Sequence, residues 1–415
     1  MTVHVIGAGM AGLAASLRLA RAGKRVVLHE QTRMGGGRCM AFRDTAFSQT
    51  LDNGIHLYFA GQRHLHAFLA DIGLPRTLVG SARAACQFID IENGHRWTLH
   101  PTIGTMPVWL LAPWRAVPGI RASDFLHLLT LARAGPSQTV AQIMPRKGLG
   151  RRYFWEPLCV AALNTEPAAA SAQALWQMVR NVLTSGEVSL RPQFVKTDLA
   201  TDLVDPALRR FLALNGEVRF GSPLRGIEFS GHRATDLHFA NASQPIDTGD
   251  RVVLAVPASA AGKLLPRMSY PMSKRAVVTA HFALTPAEPM EPVLTAIIET
   301  RPLWLLTRGG IATVTIGAAD DLVDIPRSQL ARRLWAPVAK TLRRDPAVLP
   351  DWHVLKFRDS THAHTPAEEA RRPATKTCWH NLVLAGDWTR TGQSATVDGA
   401  IQSGYAAADA LLRGR

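Results

Sequence analysis

An α/β fold organised around a nucleotide-binding sheet is what this amino-acid sequence predicts, on three observations. A short apolar strand, Val3 to Ile6, runs directly into Gly7-Ala8-Gly9-Met10-Ala11-Gly12 and a helical stretch, Leu13 to Ala22, stopped by Gly23. A second strand, Arg25 to His29, ends on Glu30, 18 positions (30 − 12) beyond Gly12. Far along the chain another apolar strand, Leu382 to Ala385, meets Gly386-Asp387. Strand, glycine turn, helix, second strand and acid together describe a Rossmann-like βαβ unit.

Each part of that unit has a chemical reason. Gly7, Gly9 and Gly12, with Met10 and Ala11 between them, suit a tight turn that brings backbone close to a pyrophosphate at a helix N-terminus. Glu30 stands where a carboxylate accepts hydrogen bonds from a ribose diol, so the predicted ligand is an adenine dinucleotide with an unphosphorylated ribose. The segments that follow decide which one. Gly35-Gly36-Gly37-Arg38 comes directly after the second strand, and Asp52-Asn53-Gly54-Ile55-His56 a little later. A nicotinamide dinucleotide has no need of a glycine-arginine loop there. FAD is longer, and its ribityl chain and isoalloxazine require further backbone donors and a cation near the phosphates. FAD is therefore the expected cofactor, with Arg38 as a phosphate partner. A second dinucleotide motif is not present, so the electron donor is not named.

The bulk composition narrows the class. A chain of 415 residues buries a sizeable core and suggests two or three domains. No secretory leader is expected, because Val3 is already committed to the first strand. Cys39, Cys86, Cys159 and Cys378 show neither disulfide nor metal spacing, which points to the cytoplasm. His64-x-His66 and His362-x-His364 lack a visible partner cluster, so no metal is expected. The 47 basic and 32 acidic residues leave a net charge of +15, which attracts nucleic acid or anionic lipid. No RNA-binding module or recognition helix accompanies that charge, and nucleic acid is not an expected partner. Between Trp97 and Trp114 runs an uncharged stretch, but Pro101, Gly104, Pro107 and Pro113 forbid a spanning helix. The expectation is peripheral contact with the inner face of an anionic membrane. Trp109, Leu110, Leu111 and Trp114 would enter the interface, and Arg115 and Arg121 would meet headgroups.

The nucleotide domain is expected to be discontinuous: residues 1–80, 205–262 and 377–415. Its middle piece opens with Asp205-Pro206 as N-cap and first turn, and Asn215-Gly216 ends that helix. Strands are expected over Glu217 to Phe220, Leu224 to Phe229 and Arg233 to Phe239. The run from Asp250 to Pro257 reads as a further, buried strand. Residues 81–204, largely helical, and 263–376, opening with a strand-like Val277 to Leu284, would make an α+β substrate domain.

These strings resemble the amine oxidase/phytoene desaturase superfamily of flavoproteins. Gly36-Gly37-Arg38 looks like its GGR motif and Ala385-Gly386-Asp387 like its C-terminal flavin motif. The resemblance implies that Asp387 meets the ribityl-phosphate region, that Leu224 meets the adenine, and that Thr396-Val397 opens a helix aimed at the flavin pyrimidine. Asn53, Gly54 and Ile55 would contact the flavin. Within the superfamily, three segments resemble the hydroxysqualene dehydroxylase family: Phe154-Trp155-Glu156-Pro157-Leu158-Cys159 through Asn164-Thr165, Leu51 to His56, and Ala385 to Gly404. Ile55, where that family often has Gln, and Gln393-Ser394, in place of Leu-Pro, depart from it.

The family resemblance implies reductive removal of a hydroxyl from a C30 isoprenoid alcohol in hopanoid synthesis. A hydroxide leaving group needs a proton donor, and an allylic cation needs a water-free pocket. The cofactor supplies the hydride. His56 is the expected acid, since histidine titrates near neutrality. Trp155 and Asn164 are expected to line the substrate pocket. Three competing readings remain at this point: a carotenoid-type desaturase, an amine oxidase, and a flavin-containing isoprenoid carrier without chemistry of its own.

Overall fold

The computed structural model describes residues 1–47, 49–101, 117–118, 126–183, 186–265, 268–285 and 290–413. The stretch expected to touch a membrane, with Trp109, Leu110, Leu111, Trp114, Arg115 and Arg121, lies outside the described residues. Among the described residues no helix is long and apolar enough to cross a membrane.

Five parallel strands form the first sheet, in the order Glu217–Arg219, Arg25–His29, Thr2–Ile6, Arg251–Leu254 and Leu382–Leu384. The alternation of side chains sends Val3, Val5, Val253 and Val383 to one face, against the helices Met10–Arg21 and Val397–Arg413. Ile6, Val252, Leu254, Leu382 and Leu384 pack on the other face, against an antiparallel meander of Leu224–Ser230, Arg233–Phe239 and Ser243–Pro245. The two helices approach unusually closely because Gly404 carries no side chain: a Cβ there would stand 2.1 Å from the Ala11 carbonyl oxygen.

A second sheet has seven strands in the order Trp352–His362, Lys274–Ala283, Ile311–Ile316, Leu303–Arg308, Val293–Ile298, Cys86–Asp90 and Arg96–Leu99. Only the pairing of Val293–Ile298 with Cys86–Asp90 is parallel. One face is apolar: Val278, Ala280, Phe282, Ala312, Val314 and Leu305 pack against the helix Arg327–Thr341. The opposite face is polar over its middle strands. Cross-strand register places Leu306, Thr313, His281 and His353 in one row, and this row looks toward the first sheet's loops.

A helical layer, Leu126–Ala132, Val140–Ile143, Glu156–Leu163 and Ala172–Leu183, has its own core around Leu131, Cys159, Leu163 and Leu175. One local expectation needs correction. Asp205 does not cap its helix, because a π-turn, Ala200–Val204, feeds straight into Asp205–Ala213. The segment is started instead by Asp198, whose carboxylate accepts from the Thr201 amide (2.8 Å) and hydroxyl (2.9 Å).

Candidate functional site

The glycine turn after the first strand is set by close approach. Gly7 has φ +104°, and a Cβ there would stand 2.7 Å from the Ala255 carbonyl oxygen; at Gly12 it would stand 1.8 Å from the Gly7 oxygen. Gly9 is different. Its missing Cβ would meet only the Gly37 Cα, at 4.0 Å, so the space above the helix start is open. Met10 and Ala11 form the buried first turn of that helix. Gly36 donates its amide to the Ala8 oxygen at 2.8 Å, which lays the second glycine loop beside the first. An open cradle between two glycine loops at a helix N-terminus fits a pyrophosphate. Glu30 is buried; its Oε2 accepts from the Ala8 amide (2.8 Å) and its Oε1 from Thr32. A carboxylate has about four acceptor directions, so capacity remains for a ribose hydroxyl.

Arg38 and Asp387 meet across the cradle. Nη2 lies 2.6 Å from Oδ1, and Nη1 donates to the Ser360 carbonyl. Burial pushes the Asp387 carboxyl upward, but the Arg38 charge and hydrogen bond outweigh it and hold the group below its ordinary range. Gly386 is pinned by the Ser403 hydroxyl, which accepts its amide at 2.7 Å. Thr396 caps the closing helix, its hydroxyl accepting from the Gly399 amide. Leu224 begins the meander opposite Phe239.

Sequence reasoning gave His362 and His364 no partner, and here the structure corrects it. Glu369 joins them: its Oε1 is 2.5 Å from His364 Nδ1 and 3.3 Å from His362 Nε2. The buried Arg372 binds the other Glu369 oxygen at 2.9 Å. Arg372 also donates to the main-chain oxygens of Asp387 (2.9 Å) and Thr389 (2.6 Å). The cluster is thus a clamp under the Gly386-Asp387 loop, with a guanidinium already holding the position of positive charge. No motif marks Arg372, because two of its acceptors are carbonyls that any residue supplies.

A cavity opens where the Asp52-to-His56 segment faces the polar row of the second sheet. Asp52, Gly54, His56, His281, Thr313 and Arg308 are among its walls, with Phe194, Leu306 and Ile311 supplying apolar surface. Asn53 fastens the segment, its Nδ2 donating to the Arg38 carbonyl at 2.8 Å. Its Oδ1 lies 3.0 Å from His56 Nε2. The Ile55 amide donates to the Thr315 hydroxyl. Gly54 packs closely on the second sheet, where a Cβ would stand 3.1 Å from the Thr279 hydroxyl. Burial, reinforced by the Arg38 charge, pulls the His56 imidazole down to about 4. At neutral pH the ring is uncharged.

Trp155 and Asn164 stand apart from these cavity walls. Trp155 is fully buried in the helical core, edge-on to Phe154 and His127. Asn164 ends its helix in the left-handed conformation, φ 45°. Its side chain accepts from the Ala318 amide (2.7 Å) and donates to the Thr361 hydroxyl (2.9 Å), joining the helical layer to the second sheet.

The profile of the flavin containing amine oxidoreductase family matches residues 10–412. A hydroxysqualene dehydroxylase of Rhodopseudomonas palustris is 39% identical over 412 residues, covering 99% of this chain and 98% of the relative. A 15-cis-phytoene desaturase of an Oncidium hybrid is 23% identical over 477 residues, covering all of this chain and 78% of the relative. Among solved structures, cyclohexylamine oxidase of Brevibacterium oxydans superposes with a TM-score of 0.71 at 16% identity, covering 99% of this chain and 98% of its own. The fold is the FAD-binding type of these oxidases. The cofactor is FAD, and the protein is an FAD-dependent oxidoreductase.

Proposed function

Because the chain belongs to the flavin containing amine oxidoreductases, and within them to the hydroxysqualene dehydroxylase family, we propose that it removes the hydroxyl of hydroxysqualene to give squalene. The pathway served is hopanoid and related isoprenoid lipid synthesis. The observation that carries this reading is 39% identity sustained along 99% of the chain, substrate-side segments included.

The residues proposed to hold FAD are Gly7, Gly9, Met10, Ala11, Gly12 and Gly37 around the pyrophosphate, Glu30 at the ribose, and Leu224 at the adenine. Arg38 and Asp387, with Gly386, take the ribityl-phosphate region. Asn53, Gly54, Ile55, Thr396 and Val397 surround the ring. Reduced flavin supplies a hydride, from N5, when bound. The protein's share is to seat an isoprenoid between the Gly54 segment and the polar row, exclude water, and deliver a proton to the leaving hydroxyl.

The deciding experiment is anaerobic incubation of flavin-reduced protein with hydroxysqualene, followed by mass analysis of the lipid. Squalene, carrying deuterium when the flavin is reduced with deuteride, is the expected product. Recovery of the unchanged alcohol would overturn the reading. A carotenoid-type desaturation would instead appear as loss of hydrogen from phytoene, and a carrier role as stoichiometric lipid binding without flavin reoxidation.

The reading extends to location: a peripheral attachment to anionic membrane from the cytoplasmic side. It is supported by the net charge of +15 and by Leu126 and Leu129, which lie 61% and 56% exposed on the helix Leu126–Ala132.

A further inference from the structure

Dehydroxylation by hydride consumes a proton as well as a hydride, so the cavity must contain a donor. Four of its walls are ionisable. Arg308 is committed, donating to the Val195 and Thr197 carbonyls (both 2.6 Å), and a guanidinium keeps its protons. His56 is uncharged and directs Nε2 at the Asn53 amide oxygen. His281 is 1% exposed, with Nδ1 on the Thr313 hydroxyl at 2.9 Å. Burial first, and the neighbouring His353 next, pull it down to about 4, so it too is uncharged.

Asp52 remains. One carboxyl oxygen, Oδ1, accepts the Leu199 amide at 2.8 Å and is fixed by it. Oδ2 has no hydrogen-bond partner among the described residues, and Asp52 is one of the residues that line the cavity. Building on the dehydroxylation reading above, we propose that Asp52, one of the residues lining this cavity, protonates the leaving hydroxyl. The O–H bond of Asp52 breaks and its proton joins the substrate oxygen. The C–O bond breaks to release water, and the carbon gains a C–H bond from the hydride that reduced flavin supplies. Carbon is reduced, flavin is oxidised, and the Asp52 carboxylate regains a proton from solvent once product leaves.

The electrostatics agree with the geometry. Burial raises the Asp52 carboxyl, the Leu199 amide lowers it, Asp198 raises it and Arg308 lowers it, with Asp202 adding a smaller upward push; the balance lies at about 7. The uncharged His56 and His281, which share the cavity, add no positive charge that would ionise it.

The test uses flavin-loaded protein carrying Asp52→Asn, which keeps an acceptor for the Leu199 amide. Single-turnover oxidation of the reduced flavin by hydroxysqualene should slow by about 10²–10⁴-fold. Flavin binding should stay unchanged, and Asp52→Glu should recover part of the rate. In wild type the rate should fall about tenfold per pH unit above pH 7. Independently of turnover, infrared spectra should show a protonated carboxyl band at pH 6 that disappears by pH 8.5 and is missing from Asp52→Asn. A variant as fast as wild type would overturn the proposal, as would a missing band. Collapse of turnover in His56→Gln alone would pass the role to His56. Wild type inert toward hydroxysqualene would instead sink the reaction assignment itself, and the two failures are thereby distinguished.

Discussion

Arg372 reaches the Thr389 carbonyl from both Nη2 (2.6 Å) and Nε (3.1 Å), and with a further bond to the Asp387 carbonyl (2.9 Å) it fixes the loop carrying Asp387. Its third nitrogen is paired with Glu369, so the planar fork is fully used. A lysine has one nitrogen where the fork has three. Arg372→Lys is expected to weaken FAD binding by tenfold or more and to cost about 1–3 kcal/mol of stability, the range for leaving buried acceptors unsatisfied. Flavin-fluorescence titration and urea unfolding read the two effects; a variant unchanged in both would mean that the loop holds itself.

Two glycines of the same turn should fail differently. Gly12→Ala sets a methyl group on the Gly7 carbonyl and is expected to prevent folding or to cost several kcal/mol, on the order of 3 or more. Gly9→Ala meets open space and should fold normally. Its methyl group would occupy the cradle, so the purified protein should be pale and take up added FAD at least tenfold more weakly. Circular dichroism and visible absorbance separate the outcomes.

Acid should destabilise the five-stranded sheet through a buried histidine pair. His4 Nδ1 and His29 Nε2 are 3.3 Å apart, and His29 stacks on Phe239. Burial, with His4 and Arg219 adding to it, lowers His29 to about 3. The unfolded chain, with an ordinary histidine near 6.5, binds the proton first. Stability contributed by the neutral ring is therefore present above pH 6.5 and is lost as pH falls toward 3. Between pH 7 and 5 wild type should lose about 2 kcal/mol more than His29→Phe, which keeps the stacking. Equal losses in denaturant titrations at the two pH values would refute this.

Asn164 offers a test of fastening against substrate contact. Asn164→Ala removes two hydrogen bonds and leaves a β-carbon residue at φ 45°, at a cost of about 2 kcal/mol. A thermal shift with an unaltered KM is the expected result. A raised KM at unaltered stability would return Asn164 to the substrate wall.

Membrane attachment predicts sedimentation with vesicles rich in phosphatidylglycerol and release by high salt, as charge screening requires. Leu126→Glu with Leu129→Glu should reduce the bound fraction several-fold. Binding equal on neutral vesicles would remove the electrostatic part of the idea.

The five-stranded parallel sheet and its glycine turn were legible because their signals are local. A strand, a glycine turn and a helix announce themselves over about a dozen neighbouring residues, and the same is true of Ala385-Gly386-Asp387. The second sheet was scarcely legible beyond Val277 to Leu284. Thr279 and His281 alternate with Val278, Ala280 and Phe282, a pattern that reads as a strand with one face in water. Both polar residues are in fact buried, since that face is closed by the Gly54 segment.

From the linear order of residues alone one can deduce the cofactor, the parallel sheet beside the glycine turn and the family, because short-range backbone demands dictate those residue types. The company kept by Asp52, His281 and Arg372 follows from folding instead. Strand register aligns Leu306, Thr313, His281 and His353 across residues far apart in the chain, and burial, with Asp198 and Asp202 adding to it, pushes the Asp52 carboxyl up to about 7. Neither register nor desolvation is a property of neighbouring letters; both arise only once distant segments exclude water together.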